Sequence, residues 1–255
     1  MRPADPQRPD RSRGFVDYER VAARYQLARS LPVEVLEKWG AAVRPYLPRE
    51  PCRVVDLGAG TGLFASVWHR WTTATVVAVE PSAAMTRVGR RAAPSVNFVR
   101  GTAERLPLRD SLADIVWMST SLHHFADMSQ AAAETARVLD HGGRALVRTY
   151  APGRTRVTWL DEFPGRARWE SRFPTEEQLR SIFRPEDFTL ADVQDVVEWT
   201  ETYDTYAVWV ASMKQANSML TALTDEEIAE GLAALRSTPT KIGHTELTLF
   251  VFTRR

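Results

Sequence analysis

The stretch Val54–Gly62, VVDLGAGTG, concentrates the residues with the clearest chemical meaning. Gly58, Gly60 and Gly62 let the backbone turn sharply and approach a ligand closely. A helix opening after such a turn offers its unpaired N–H groups to a polar or anionic group. A dinucleotide fingerprint, G-x-G-x-x-G, would need its third glycine at position 63, but Leu63 stands there and the glycine comes one residue early. No Gly-Lys-Ser/Thr follows, which excludes a phosphate-gripping P-loop. Asp56 precedes the first glycine. A carboxylate there repels a pyrophosphate and suits a ligand that carries an ammonium and no phosphate; S-adenosylmethionine, with an ammonium and a sulfonium, is such a ligand. Glu80 ends the next apolar run, 24 residues after Asp56. An acid at that point can accept both hydrogen bonds of a ribose diol, which holds for any unphosphorylated ribose and does not by itself choose a cofactor.

His123 and His124 stand side by side after a later apolar run, Ala113–Met118. An imidazole whose ordinary pKa is about 6.5 is suited to accept a proton at neutral pH, so one of the pair is the candidate base and the other shapes the pocket. The alternative is that both only pack or touch a cofactor. His69, on a helix, His244, near a loop, and His141, at a helix end, read as structural. No carboxylate cluster suggests a magnesium site, and Cys52, alone in the chain, has no partner for a disulfide or a metal set. The expectation is metal-independent chemistry.

The elements that must carry these residues follow from periodicity. Two helices come first: Phe15–Ala28, with apolar positions three and four apart, and Pro32–Tyr46, with Pro32 in its first turn. Then strands alternate with helices: Arg53–Leu57, helix Leu63–Trp71, Thr75–Val79, helix Ser82–Ala92, Val96–Val99, Ala113–Met118, helix Met128–Leu139 and Arg144–Tyr150. His141-Gly142-Gly143 reads as a glycine helix stop. This rhythm means an α/β fold, a mostly parallel sheet with helices on both faces. After Tyr150 it breaks. A segment rich in Arg, Pro and aromatics leads to a helix capped by Thr175 and Gln178 and a β-rich run Phe188–Trp199. A helix Tyr203–Leu220, a helix from Thr224 to Arg236 and a last strand Thr245–Phe252 complete seven strands.

The 255 residues are 44% hydrophobic and 25% charged, an ordinary globular composition. A formal net charge of +1 speaks against a nucleic-acid partner, since such proteins usually carry a clear basic excess. The Pro- and Arg-rich residues 1–14 read as a disordered tail with no apolar stretch for a signal or a membrane span, so the cytoplasm is expected.

With the motifs in order, the chain resembles the class I S-adenosylmethionine-dependent methyltransferases, in the branch of the ubiquinone and menaquinone biosynthesis enzymes. VVDLGAGTG, VVAVEPSAAM, GTAERLPL and ADIVWMSTSLHHF each match a family motif, and Phe15 to Tyr150 match well. The resemblance implies a Rossmann-like seven-stranded sheet in one domain, residues 15–255. Residues 15–50 would form a helical lid, 51–150 the cofactor core, and 151–255 a substrate cover with the C-terminal half of the sheet. It assigns to S-adenosylmethionine the residues Asp56, Gly58, Ala59, Gly60, Thr61, Gly62, Glu80, Pro81, Met85, Thr102, Ala103, Glu104, Ser119 and Leu122, with Tyr25 and Arg29 of the lid reaching the methionine carboxylate. Thr102 departs from the family pattern, which often places an acid there for the adenine amino group.

The resemblance puts the variable acceptor cover at 148–173. Tyr18, Arg148, Tyr150, Trp159 and Trp169 are the candidate acceptor contacts. Most of the arginines there (Arg154, Arg156, Arg166, Arg168, Arg172) read as a solvated basic loop. The implied activity is methyl transfer to a small-molecule acceptor, leaving S-adenosylhomocysteine, by a monomer or homodimer. Two rivals share the motifs: a transfer-RNA base methyltransferase, and a protein that holds S-adenosylmethionine while assisting a non-methylating rearrangement.

Overall fold

A computed structural model describes residues 31–213 and 220–255. The expected tail 1–14, the helix Phe15–Ala28 and the lid residues Tyr18, Tyr25 and Arg29 lie outside the described residues. The described helix α1 (Val33–Val43) has Pro32 at its N-cap and passes into a 3₁₀ turn, Arg44–Tyr46. Then follow β1 (Cys52–Leu57), α2 (Leu63–Trp71), β2 (Ala74–Glu80), α3 (Ala83–Ala92), β3 (Asn97–Arg100), β4 (Ala113–Ser119), α4 (Met128–Val138) and β5 (Leu139–Thr149). Beyond these come α5 (Arg166–Glu170), α6 (Glu176–Ile182), β6 (Phe188–Thr202), α7 (Tyr203–Met213), α8 (Asp225–Ser237) and β7 (Ile242–Arg254).

The strands form one seven-stranded sheet in the order β3-β2-β1-β4-β5-β7-β6. The first five are parallel, and β7 runs antiparallel to both β5 and β6. The α/β reading of the sequence therefore holds. Alternation along each strand sends side chains to two separate cores. Val54, Ile115, Trp117, Leu146, Leu249 and Val251 join the helix α1 and α2 side, whereas Val55, Val116, Met118, Val147, Phe250 and Phe252 face α4 and α6. On the first side Trp117 is the hub: the rings of Trp39, Phe64, Trp68 and Trp71 all lie within 6.4 Å of it, centre to centre.

Local signals behave as the chemistry of caps requires. Ser82, Thr175 and Thr224 accept N3 amides, and the last two form complete capping boxes. One signal was misleading. Helix α4 does not end on glycine: Leu139, immediately after it, is already extended (φ −70°, ψ 144°) and begins β5. Gly142, with φ +74°, sits inside an irregularity of that strand, where the partners jump from Ala113↔Leu139 to Ile115↔Arg144. The glycine pair serves a bulge. His141 is accordingly in a strand, with Nδ1 2.9 Å from the Arg255 carbonyl oxygen. His244 lies in β7, 3.1 Å from the Thr200 hydroxyl. The expected helix Tyr203–Leu220 is described over Tyr203–Met213 as α7; residues 214–219 lie outside the described residues, and Leu220–Ala222 forms a 3₁₀ turn.

Candidate functional site

The period of two that builds the cores also builds the site. Continuing the face of Val54, Trp117 and Leu146 by one step brings Asp56, Ser119 and Arg148 to the carboxyl ends of β1, β4 and β5. All three line a cavity of about 70 Å³ together with Gly58, Ala59, Gly60, Thr61, Leu63, Phe64, Thr120 and Leu31. It lies where open α/β sheets place ligands, at the switch between β1 and β4.

The glycine loop is pinned to β2. Gly58 and Ala59 donate to the Val79 carbonyl at 2.9 and 3.2 Å, and Gly60 donates to Glu80 Oε2 at 2.9 Å. The other oxygen of Glu80 accepts the Ser82 amide at 2.9 Å, so one carboxylate fixes both the loop and the start of α3. Two glycines have no substitute here. Gly58 (φ +73°) and Gly62 (φ +81°) are left-handed, and a Cβ on either would stand 2.5 Å from a neighbour, Ser121 Cβ and Phe98 Cζ respectively. Gly62, the N-cap of α2, faces Phe98 and not the cavity, which explains the early third glycine.

Asp56 is 2% exposed, and among the described residues its Oδ2 has no hydrogen-bond partner. Burial pushes its carboxyl up to about 7; the Ala65 amide opposes this and the charge of Glu80 adds to it. An orphaned, buried acid oxygen at the cavity wall fits a cationic group of a ligand. In the ligand-free protein this acid keeps its proton well above the pH, about 4, at which the unfolded chain releases it. Between those values the native state binds more protons, so stability falls as pH rises. Thermal unfolding of the free protein from pH 5 to 8 should show that decline, on the order of a few kcal/mol, and Asp56→Asn should flatten it. An equal slope in both proteins would exclude Asp56 as its source.

Arg148 is also buried, 4% exposed. Its guanidinium bonds Glu198 of β6 and donates to Ser119 Oγ at 2.9 Å, between the rings of Trp39 (4.8 Å) and Phe64 (5.3 Å). Trp39 Nε1 donates to the same Glu198 oxygen at 2.6 Å. Thr120, at φ +49°, is a β-branched residue in left-handed backbone, held by the hydrogen bond that its N–H donates to the Arg148 carbonyl at 2.7 Å.

The remaining sequence candidates spread out. Pro81 is exposed, and Met85 is buried with Ala84 and Val88. Thr102 is exposed beside buried Ala103, while Glu104 accepts the Ala126 amide at 2.6 Å and the Asp127 amide at 3.3 Å. Leu122 packs into the second core. His123 and His124 lie in a half-buried 3₁₀ turn after β4, their rings 3.9 Å apart, and the His123 ring packs tilted against Phe173 at 4.1 Å. Phe173 in turn packs on Tyr150 and Trp169, both buried, and the Tyr150 hydroxyl bonds Glu170. Trp159 is a core residue, stacked on Tyr206 and donating to Thr245 at 2.9 Å. Neither it nor Trp169 reaches the cavity. Trp39, Phe64, Thr120 and Glu198 were not singled out from the sequence; a lone acid in the apolar run VVEW was the one available signal for Glu198.

Residues 55–147 match the family model described as Methyltransferase domain. An uncharacterized methyltransferase of Mycobacterium tuberculosis (strain H37Rv) is 37% identical over 160 residues, 62% of this chain and 62% of that protein. The demethylmenaquinone methyltransferase of Renibacterium salmoninarum is 32% identical over 158 residues, 59% of this chain and 65% of that one. The solved structure of the YcgJ protein of Bacillus subtilis has the same fold, with a TM-score of 0.61 at 22% identity over 86% of this chain and 98% of that one. The chain's matches span less than two thirds of the length of the curated relatives, from 28% to 65%. Among the described residues, no helix is long and apolar enough to cross a membrane, and no three His, Cys, Asp or Glu residues gather as a metal set.

Proposed function

We propose that this protein transfers the methyl group of S-adenosylmethionine to a small-molecule acceptor. The observation that carries this reading is the glycine loop, held by Glu80 on one side and flanked by the orphaned acid Asp56 on the other. When bound, S-adenosylmethionine supplies a methyl group on a positively charged sulfur that departs with its electron pair. Asp56 would face the ammonium of its amino-acid end. Glu80, which accepts the Gly60 and Ser82 amides, would hold the ribose diol. Ala103 and Thr102 would face the adenine, and Tyr25 and Arg29 would close from the lid. With the leaving group built into the cofactor, the main task of the protein is alignment of nucleophile, methyl and sulfur.

A base is needed only where the acceptor must lose a proton; His123 or His124 would take it. The relatives named above support a small acceptor. The cover arginines speak against an RNA groove: Arg154 pairs with Asp195 and Glu176, Arg166 with Asp161 and Glu170, and Arg168 with Glu227. Calorimetry on the purified protein should give saturable binding of S-adenosylhomocysteine and none of NAD; the reverse result would end this reading. Binding should strengthen with pH through about 7, as Asp56 ionises. With an acceptor in hand, turnover should persist in a chelator, and S-adenosylhomocysteine should accumulate. Ala and Gln at His123 and His124 test the base, which is excluded by full turnover in all four variants.

A further inference from the structure

Arginine in this chain is mostly neutralised: Arg53, Arg137, Arg154, Arg166, Arg168 and Arg184 each meet a carboxylate. The helix α3 and the edge strand β3 depart from that habit. Arg87, Arg90 and Arg91 of α3 and Arg100 of β3 are all exposed, and no Asp or Glu stands between residues 81 and 103. Among the described residues no carboxylate pairs with any of the four. They form one surface. Arg87 and Arg91 lie a turn apart on the same face of α3. Arg90 donates to the Phe98 carbonyl at 2.8 Å, which joins that helix to β3. The Phe98 ring sits against Gly89 of α3, and Arg100, two residues on, leaves the strand on the same side. We propose that this face of α3 and β3 docks an acidic segment of a partner protein.

Like charges a turn apart weaken a helix, and nothing in the fold offsets them here. A guard against edge-to-edge pairing needs a charge on the strand itself. Arg100 serves that purpose, whereas Arg87 and Arg91 stand on the helix. Guanidinium groups offer forked donors that match carboxylates, and clustered arginines are a recurring receptor for acidic motifs. The position of the surface narrows the class of partner. β3 is the edge of the sheet beyond β2 and β1, whereas His123 and His124 follow β4. An RNA acceptor held on α3 would be bound away from the groups proposed to act on it. Residues 81–103 also present no exposed aromatic ring to stack a base, Phe98 being 4% exposed. Stable membrane binding takes buried apolar area as well as charge, and the large exposed apolar residues, Val33, Val197, Val208 and Ile242, all lie on other elements. A second copy of this chain is a poor complement, because the acids of β6 are engaged: Asp192 with Tyr46, Asp195 with Arg154 and Glu198 with Arg148.

The test measures binding of three labelled probes to the purified full chain: a peptide of Glu and Asp, polyuridylate of matched charge, and vesicles of phosphatidylcholine with phosphatidylserine. The peptide should bind, more weakly as salt rises, and more tightly than the other two. Arg87→Gln, Arg91→Gln and Arg100→Gln together should weaken it about 3- to 100-fold, the combined range of three exposed ion pairs. Arg49→Gln, Arg156→Gln and Arg236→Gln remove the same charge from exposed positions elsewhere and should leave peptide binding within about twofold. An equal loss in the two triple variants would be a net-charge effect and overturns the proposal, as does an absence of peptide binding at low salt. Tighter binding of polyuridylate or of the vesicles, lost with Arg87, Arg91 and Arg100, reassigns the surface to nucleic acid or lipid and overturns it as well. So does self-association in sedimentation that the same three substitutions abolish. S-adenosylhomocysteine should bind alike to the wild type and both triple variants. Its failure to bind any of them bears on the methyltransferase reading alone.

Discussion

Glu198→Ala is expected to destabilise the protein by about 3–5 kcal/mol, the usual cost of breaking a buried ion pair from one side. Glu198 and Arg148 are 3% and 4% exposed. Removing the carboxylate leaves a guanidinium in the interior between two aromatic rings, and leaves the Trp39 indole N–H without its acceptor. Each of those losses carries its own desolvation cost. For a chain of this length the melting temperature should fall by about 6–20 °C. The partner experiment separates the value of the pair from the penalty of an orphan. Arg148→Met combined with Glu198→Leu replaces both charges by apolar groups and should recover much of the loss. If Glu198→Ala unfolds within 2 °C of the wild type under the same conditions, the pair is solvated and the account of the site is mistaken.

That pair also marks where the sequence stopped being informative. The parallel half of the sheet was legible because each strand is a short apolar run ending in a motif, and the motifs sit at strand ends by construction. The site residues on β1 and β2 were legible for the same reason: Asp56 and Glu80 each close an apolar run. Arg148 was visible as a candidate but not its partner. Glu198 lies 50 residues later, on a strand that reaches β5 only through β7, and nothing local encodes that adjacency. Trp39 and Phe64 read as ordinary helical core residues, and their contact with a cation depends on how two helices lie on the sheet. The glycine pair at Gly142–Gly143 misled for the opposite reason. A positive φ serves a helix stop and a β-bulge equally well, and only the pairing of Leu139 with Ala113 decides between them.

The position of the third glycine is the point at which sequence and packing meet, and it yields the second large effect. Gly62→Ala should cost about 2–5 kcal/mol, from two separable sources. Left-handed backbone at φ +81° costs an alanine about 1–2 kcal/mol. Its Cβ would also lie 2.5 Å from Phe98 Cζ, an overpacking of about 1–3 kcal/mol. Phe98 cannot simply retreat: it is 4% exposed, and the same ring edge already fills the space beside Gly89, where a Cβ would come within 2.4 Å. The ring is thus seated between the first turn of α2 and the body of α3. It couples the glycine loop to the helix that follows Glu80. Trimming it should therefore relieve the packing part only. Phe98→Leu destabilises on its own, yet Gly62→Ala should cost less in that background than in the wild type, by about 1–2 kcal/mol of coupling. Chemical denaturation of the four proteins measures this. Full additivity would mean that the backbone conformation alone demands glycine at 62, and that Phe98 does not link the loop to α3.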